Sequence, residues 1–129
     1  MTNARTKGAS AEREVFKIIS EILNIEVKRN LVQTREGGYD GVAGEFALEV
    51  KRQETLRLSD WWAQAVNQAI EAKKMPMLIY RQSRQPWRVR LWARDYLAIH
   101  GVNALNATVL EMDLLAGVDL ISMTLEKKC

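Results

Sequence analysis

The 129-residue chain holds one cysteine, one histidine and two prolines. Cys129 has no second thiol to pair with, so no internal disulfide is available. With His100 as the one imidazole, a structural zinc site built from several Cys and His ligands is excluded. The same scarcity removes Ser-His-Asp and Cys-His catalytic sets, because His100 and Cys129 lie in the poorly patterned C-terminal region. There is no GxxxxGK[ST] loop, which argues against ATP use. No apolar run approaches the roughly 18–20 residues of a membrane span. The first residues, Met-Thr-Asn-Ala-Arg-Thr-Lys, are polar and lack the apolar stretch of a secretion signal. The expected location is the cytoplasm.

What is present is ordinary in bulk and uneven in distribution. At 47% hydrophobic and 27% charged, the chain has the composition of a globular protein rather than a disordered one. Its length suits one domain with a real core. Residues 1–49 carry 7 basic and 8 acidic side chains, net −1. Residues 50–94 carry 10 and 3, net +7, and residues 95–129 carry 2 and 5, net −3. A basic segment beside an acidic cluster suits an enzyme that holds phosphates and binds a metal, and it equally suits a solvated basic face.

Residues 37–51, Gly-Gly-Tyr-Asp-Gly-Val-Ala-Gly-Glu-Phe-Ala-Leu-Glu-Val-Lys, organise the rest. Over 45–51 the residues alternate: Phe46, Leu48 and Val50 take one face of a strand, and Glu45, Ala47, Glu49 and Lys51 the other. Glu49 and Lys51 then stand roughly 6–7 Å apart on one surface. Asp40, in a glycine-flanked turn just upstream, can swing over that surface, although Asp before Gly is also a common turn residue in its own right. An Asp followed by Glu-Val-Lys is a ligand set for a divalent metal with a lysine beside it.

Upstream, residues 1–9 read as a basic arm, and Ser10 as the N-cap of a helix running to about Leu23. Its apolar positions, Val15, Phe16, Ile18, Ile19, Ile22 and Leu23, recur at helical spacing. Glu12 falls roughly 40° from their mean direction and Glu14 roughly 120°, so Glu12 faces the body of the protein. A strand is expected over 25–34, a turn at 35–38, a second strand over 39–43 and a third over 45–52, joined by a hairpin across Gly44. Ser59 or Asp60 caps a helix to about Lys74, packing through Trp62, Ala65, Val66, Ala69 and Ile70 with Trp61 on the margin. The two tryptophans read as core or as a dimer contact. Pro76 ends that helix, and Met77–Tyr80 form a buried strand. A basic hairpin follows, Arg88 and Arg90 alternating with Trp87, Val89 and Leu91; its arginines suit phosphate contact or protection of an edge strand. A short helix near 93–100, a strand near 108–112 and a helix after Asp113 complete the chain. The expected architecture is a single α/β domain, 1–129, with a small central mixed sheet flanked by helices, a core over about 8–92 and a C-terminal extension over 93–129.

The order helix with Glu, strand, Asp turn, strand with Glu-x-Lys, helix, strand resembles the PD-(D/E)xK nuclease superfamily. Within it, Lys7-Gly-Ala-Ser-Ala-Glu12-Arg-Glu, Tyr39-Asp40-Gly-Val-Ala-Gly44 and Glu49-Val-Lys51 resemble the archaeal-type and phage Holliday junction resolvases. The resemblance covers about residues 5–81, and the Gln-Pro-Trp stretch is similar to phage and prophage nucleases. Tyr39 stands where the superfamily name has Pro.

The resemblance implies a restriction-endonuclease-like core and a metal-dependent DNA endonuclease. Asp40 and Glu49 would bind Mg2+, with the Val50 backbone carbonyl as a third ligand and Glu12 completing the site directly or through water. Mn2+ would substitute. Lys51 would orient or help deprotonate the attacking water and balance charge on the phosphate. The chemistry of the residues agrees: two carboxylates about 5 Å apart repel by roughly 3 kcal/mol at an effective dielectric near 20, so three at one locus call for a cation. DNA contacts are expected from Lys7, Arg35, Arg52, Arg81, Arg84, Arg88 and Arg90. A four-way junction has two-fold character, which suits a homodimer, with Trp61 and Trp62 as candidates for its interface. The alternatives are a nuclease acting on linear duplex, a flap or a single strand, and a DNA-binding module without catalysis.

Overall fold

The computed structural model describes residues 4–30 and 38–126, with side chains over 9–30 and 38–125. The elements are α1 (Ala4–Leu23), β1 (Lys28–Arg29), β2 (Gly41–Ala43), β3 (Phe46–Gln53), α2 (Leu58–Ala72), β4 (Met75–Gln82), β5 (Arg88–Trp92), α3 (Ala93–Ile99), β6 (Val109–Asp113) and α4 (Leu114–Glu126). The strands form one sheet in sequence order. Neighbours are antiparallel except β3 and β4, which run parallel in register from Phe46↔Met75 to Gln53↔Gln82 and are joined by α2. The fold is thus the expected α/β arrangement of a mixed sheet flanked by helices.

The alternation of β3 decides how the layers stack. Phe46, Leu48 and Val50 enter the main core with Val15, Phe16 and Ile19 of α1 and Val118, Leu120 and Ile121 of α4. On the opposite face Leu78 and Tyr80 of β4 pack with Trp61 and Ala65 of α2. Register sets Glu49 beside Leu78 and Lys51 beside Tyr80, so these two polar residues share the α2 face.

Several expectations need correction. Helix α1 begins at Ala4, not at a Ser10 cap: Ala, Arg and Lys are good helix formers, and Gly8 costs about 1 kcal/mol without breaking the helix. Glu12 and Glu14 therefore lie beyond the first turn. Of the strand expected over 25–34, Lys28–Arg29 pair with β2 and 31–34 lie outside the described residues. Helix α2 begins at Leu58 after Arg57, with no side-chain cap. Its buried positions are Trp61, Ala65, Gln68 and Ala69; Ile70 is 69% exposed and Trp62 sits edge-on to Trp92. Trp61 is thus enclosed, which removes it from any dimer contact. Lys73, in the left-handed region at φ 58°, ends α2, while Pro76 lies inside β4. Pairing with β5 begins at Leu78, so the missing Pro76 N–H breaks no rung there.

Residues 93–126 add α3, β6 and α4 to the same sheet and core. Thr124 of α4 donates to the Ile121 carbonyl at 2.7 Å and accepts the Glu45 N–H at 3.2 Å, seating α4 against the β2–β3 turn. That turn needs Gly44 at φ +59°, and a Cβ there would lie 2.2 Å from Thr124 Oγ1. Gly44→Ala should cost about 2–3 kcal/mol in urea unfolding. An unchanged midpoint would show that α4 does not clamp the turn.

Candidate active site

The antiparallel ladder between β2 and β3 ends at Gly41↔Leu48, with one further bond from the Asp40 N–H to the Leu48 carbonyl at 2.9 Å. Strand β3 continues, and the Val50 N–H points to the same edge as the Leu48 carbonyl. Asp40 Oδ2 accepts it at 2.7 Å, in place of the absent strand. The Asp40 carbonyl accepts the Asn30 N–H at 3.0 Å, tying the site to the β1 end. By the same alternation the Val50 carbonyl is directed to this edge, away from β4.

Glu49 reaches the site from the α2 face. It is 3% exposed, its Oε1 lies 3.6 Å from Lys51 Nζ and accepts from Gln64 Nε2 at 3.5 Å, and its Oε2 is buried without a partner among the described residues. Burial, and then the Asp40 charge, push its pKa up to about 8, against the pull of Lys51. Glu12 comes from α1 on the other side of the sheet. Burial, the Asp40 charge and a hydrogen bond with Asp40 raise it to about 7, although Arg29 stands 3.9 Å away.

The structure therefore brings Glu12, Asp40, Glu49 and Lys51 to one edge of β3, around the Val50 amide. Glu12 and Glu49 both feel the Asp40 charge, and Glu49 feels that of Glu12 more weakly. Among the described residues no three Asp, Glu, His or Cys side chains form a ready coordination set. The donors nevertheless fit a hard divalent cation: all are oxygens, one buried carboxylate oxygen lacks a partner among the described residues, and burial together with the Asp40 charge raises Glu12 and Glu49 despite Lys51 and Arg29 nearby.

The basic residues divide between faces. Arg88 and Arg90 lie on the α2 face of β5, in register with Tyr80 and Leu78. Arg90 is engaged by Glu111, through Nε at 3.0 Å and through Nη2, and the Tyr80 hydroxyl donates to the other oxygen of Glu111. Burial and the Glu111 carboxylate push Tyr80 up to about 12. Glu111 is held low despite its own burial by the bonds from Tyr80 and Arg90. Arg52 and Arg81, paired in register, project to the opposite face, that of α1. Arg84 occupies the exposed β4–β5 turn at φ 72°. The Lys7 side chain and Arg35 lie outside the described residues.

Gln64, outside the stripe of Trp62, Ala65, Val66, Ala69 and Ile70 expected to pack, is found on Glu49. The signal was a second amide, Gln68, one turn on and 7% exposed: two glutamines flanking one packed stripe mark a polar neighbour beneath. Also missed was Glu14, which accepts the Trp87 Nε1–H at 2.7 Å and lies 3.8 Å from Arg52, linking α1 to the basic hairpin.

A mixed α/β sheet carrying Asp40 and Glu49-Val-Lys51 at one edge is the architecture of the PD-(D/E)xK class. Residues 3–127 match the family described as "Phage putative PDDEXK endonuclease", and the chain belongs to that family. Among solved structures it is similar to Hjc of Archaeoglobus fulgidus, a Holliday junction resolvase, at 19% identity over 83% of this chain and 84% of that one, with a TM-score of 0.49. No curated protein matches it. Nucleases of this class generally use divalent metals. No described helix is long and apolar enough to cross a membrane.

The raised carboxyl groups predict a pH response. Both are raised from the ordinary carboxyl range, to about 7 and about 8, so the folded chain binds more protons than the unfolded one over that interval. Stability in EDTA should fall as pH rises from about 5 to 8. Glu49→Gln should flatten that fall by a few kcal/mol, on the order of 1.4 kcal/mol for each pKa unit removed. Thermal melting at pH 5, 6.5 and 8 checks this, and equal slopes for both proteins would place the Glu49 charge outside the balance.

Proposed function

We propose that the chain is a Mg2+-dependent DNA endonuclease, with Mn2+ able to substitute, and that its substrate is a four-way DNA junction. The observation that carries the catalytic reading is the crowding of Glu12, Asp40 and Glu49 beside Lys51, with the Glu49 Oε2 unpartnered, in a chain of a phage endonuclease family. The junction is supported by the sequence resemblance, and a homodimer by the two-fold character of such a substrate.

Asp40, Glu49 and the Val50 carbonyl would hold the cation, with Glu12 completing the set through water. When bound, the cation would lower the pKa of a water and offset charge developing on the phosphate. Asp40 is fixed for this by the Val50 N–H, and Glu49 by Gln64 and Lys51. Lys51, on the same face as Glu49, would orient the attacking water and face the phosphate oxygens as negative charge builds. Glu12, raised to about 7 by burial and by Asp40, can release its proton near neutral pH.

Cleavage of an end-labelled four-way junction beside linear duplex of the same arms tests the reading. Paired symmetric nicks near the branch point, lost in EDTA and reduced at least about a thousandfold by Glu49→Gln, are expected. Equal cutting of linear duplex would keep the nuclease and discard the junction. A tight gel shift with no cutting of either would leave a binding module.

A further inference from the structure

Arg52 and Arg81 are paired in register near the ends of the neighbouring strands β3 and β4, on the face opposite Lys51. Arg52 Nε and Arg81 Nε are both buried and have no hydrogen-bond partner among the described residues. Their contacts are of another kind: Arg52 lies 3.8 Å from Glu14, and Arg81 lies over the Trp87 ring at 4.9 Å from its centroid. Trp87 is itself fixed by Glu14, which accepts its Nε1–H. Glu14 thus pairs with Arg52, while Arg81 lies on the Trp87 ring that Glu14 holds. With one carboxylate, Glu14, against two guanidinium groups the cluster keeps a formal charge of +1, and its two buried Nε–H donors have no acceptor among the described residues, which is rare for buried polar groups. Arginine forks match the paired oxygens of a phosphate group, and the residual charge matches one phosphodiester. Arg90 differs, because Glu111 already fills its fork.

We propose that Arg52 and Arg81 form one phosphodiester subsite, on the sheet face opposite Lys51, with the Trp87 ring as its floor and Glu14 as the positioning residue. Resting on the nuclease reading, the inference adds that DNA is gripped from both sides of the β3 end. Lys51 lies at the scissile bond, and the two arginines hold a different phosphate of the backbone. The subsite makes no base contact, so it serves affinity and register rather than sequence choice.

The test is fluorescence anisotropy of labelled duplex and junction in EDTA, where no cutting occurs. It compares the full chain, Arg52→Gln, Arg81→Gln and the double variant over a series of salt concentrations. Each single variant should weaken binding on the order of tenfold. Because both contact one phosphate, the double variant should lose little more than either single, and its log–log salt slope should drop by about 0.9. Arg52→Lys with Arg81→Lys, which keeps stems and charge if the Gln forms fail to fold, should weaken binding at an unchanged slope. Losses that multiply, with a slope drop near 1.8, would mean two separate phosphates and overturn the subsite. So would wild-type affinity in the folded double variant. Displacement of DNA by millimolar inorganic phosphate beyond that by chloride of equal ionic strength would reassign the site to free phosphate. Cleavage in Mg2+, scored separately, keeps the two readings apart: arginine-dependent binding without cutting removes the nuclease alone, and cutting with arginine-independent binding removes the subsite alone.

Discussion

Where β2 stops pairing, the Val50 N–H of β3 faces an edge with no strand to accept it, and the Asp40 carboxylate takes that bond at 2.7 Å. A charge-assisted bond of this kind contributes about 1.5–3 kcal/mol, and leaving the amide bare would cost a similar amount. The bond also has a positional consequence. It holds a carboxylate against the middle of β3 rather than letting it turn into water, as an Asp before Gly otherwise does. Everything polar at this edge is arranged around that fixed charge: Glu12 hydrogen-bonds it, and Glu49 is raised by it after burial.

The fixed charge makes the site unfavourable in isolation, and the surrounding fold carries that cost. Strand β3 is buried from Phe46 to Val50 between α1 and α4 on one side and α2 on the other, so Glu49 cannot relax towards solvent. The Thr124 contacts seat α4 on the turn that brings Asp40 back across β3. Lys51 offsets part of the negative charge, at the 3.6 Å of a loose pair rather than the closer approach that would neutralise Glu49. Negative potential held by a rigid frame is what a cation-binding edge requires, because the ion then meets donors already paid for in conformational entropy.

How much of this was legible depended on whether the signal was a period or a partnership. The two-residue alternation of 45–51 put Glu49 and Lys51 opposite Phe46, Leu48 and Val50, and the helical period put Glu12 inward; both are properties of single elements. The alternation also says that Arg52 leaves the face of Lys51, although adjacency in sequence hides it. Helix α2 was rotated in the sequence reading, because the hydrophobicity of Trp62 and Ile70 outweighed Gln64 and Gln68. The burial of Gln68 and the Gln64–Glu49 bond belong to the sheet beneath, which the helix alone does not encode. The α1 start was missed for a plainer reason: a capping residue such as Ser10 is a preference, and nothing in 4–9 obliges the helix to stop.

Partnership also decides what the basic segment can do. Counting arginines treats Arg52, Arg81, Arg88 and Arg90 alike, but a cation acts on a phosphate only with donors it has to spare. Arg90 would have to exchange Glu111 for a phosphate, trading one charge-assisted bond for another and leaving the carboxylate and the Tyr80 hydroxyl to find new partners. Arg52 and Arg81 give up far less, since their buried Nε–H groups are without acceptors to begin with. The desolvation of those groups is already borne by the fold, and because both Nε atoms are buried the guanidinium groups must turn outward for a phosphate to reach them. Net charge of +7 over residues 50–94 would attract DNA in general, while under the proposed subsite the satisfaction of each fork would select where the backbone comes to rest.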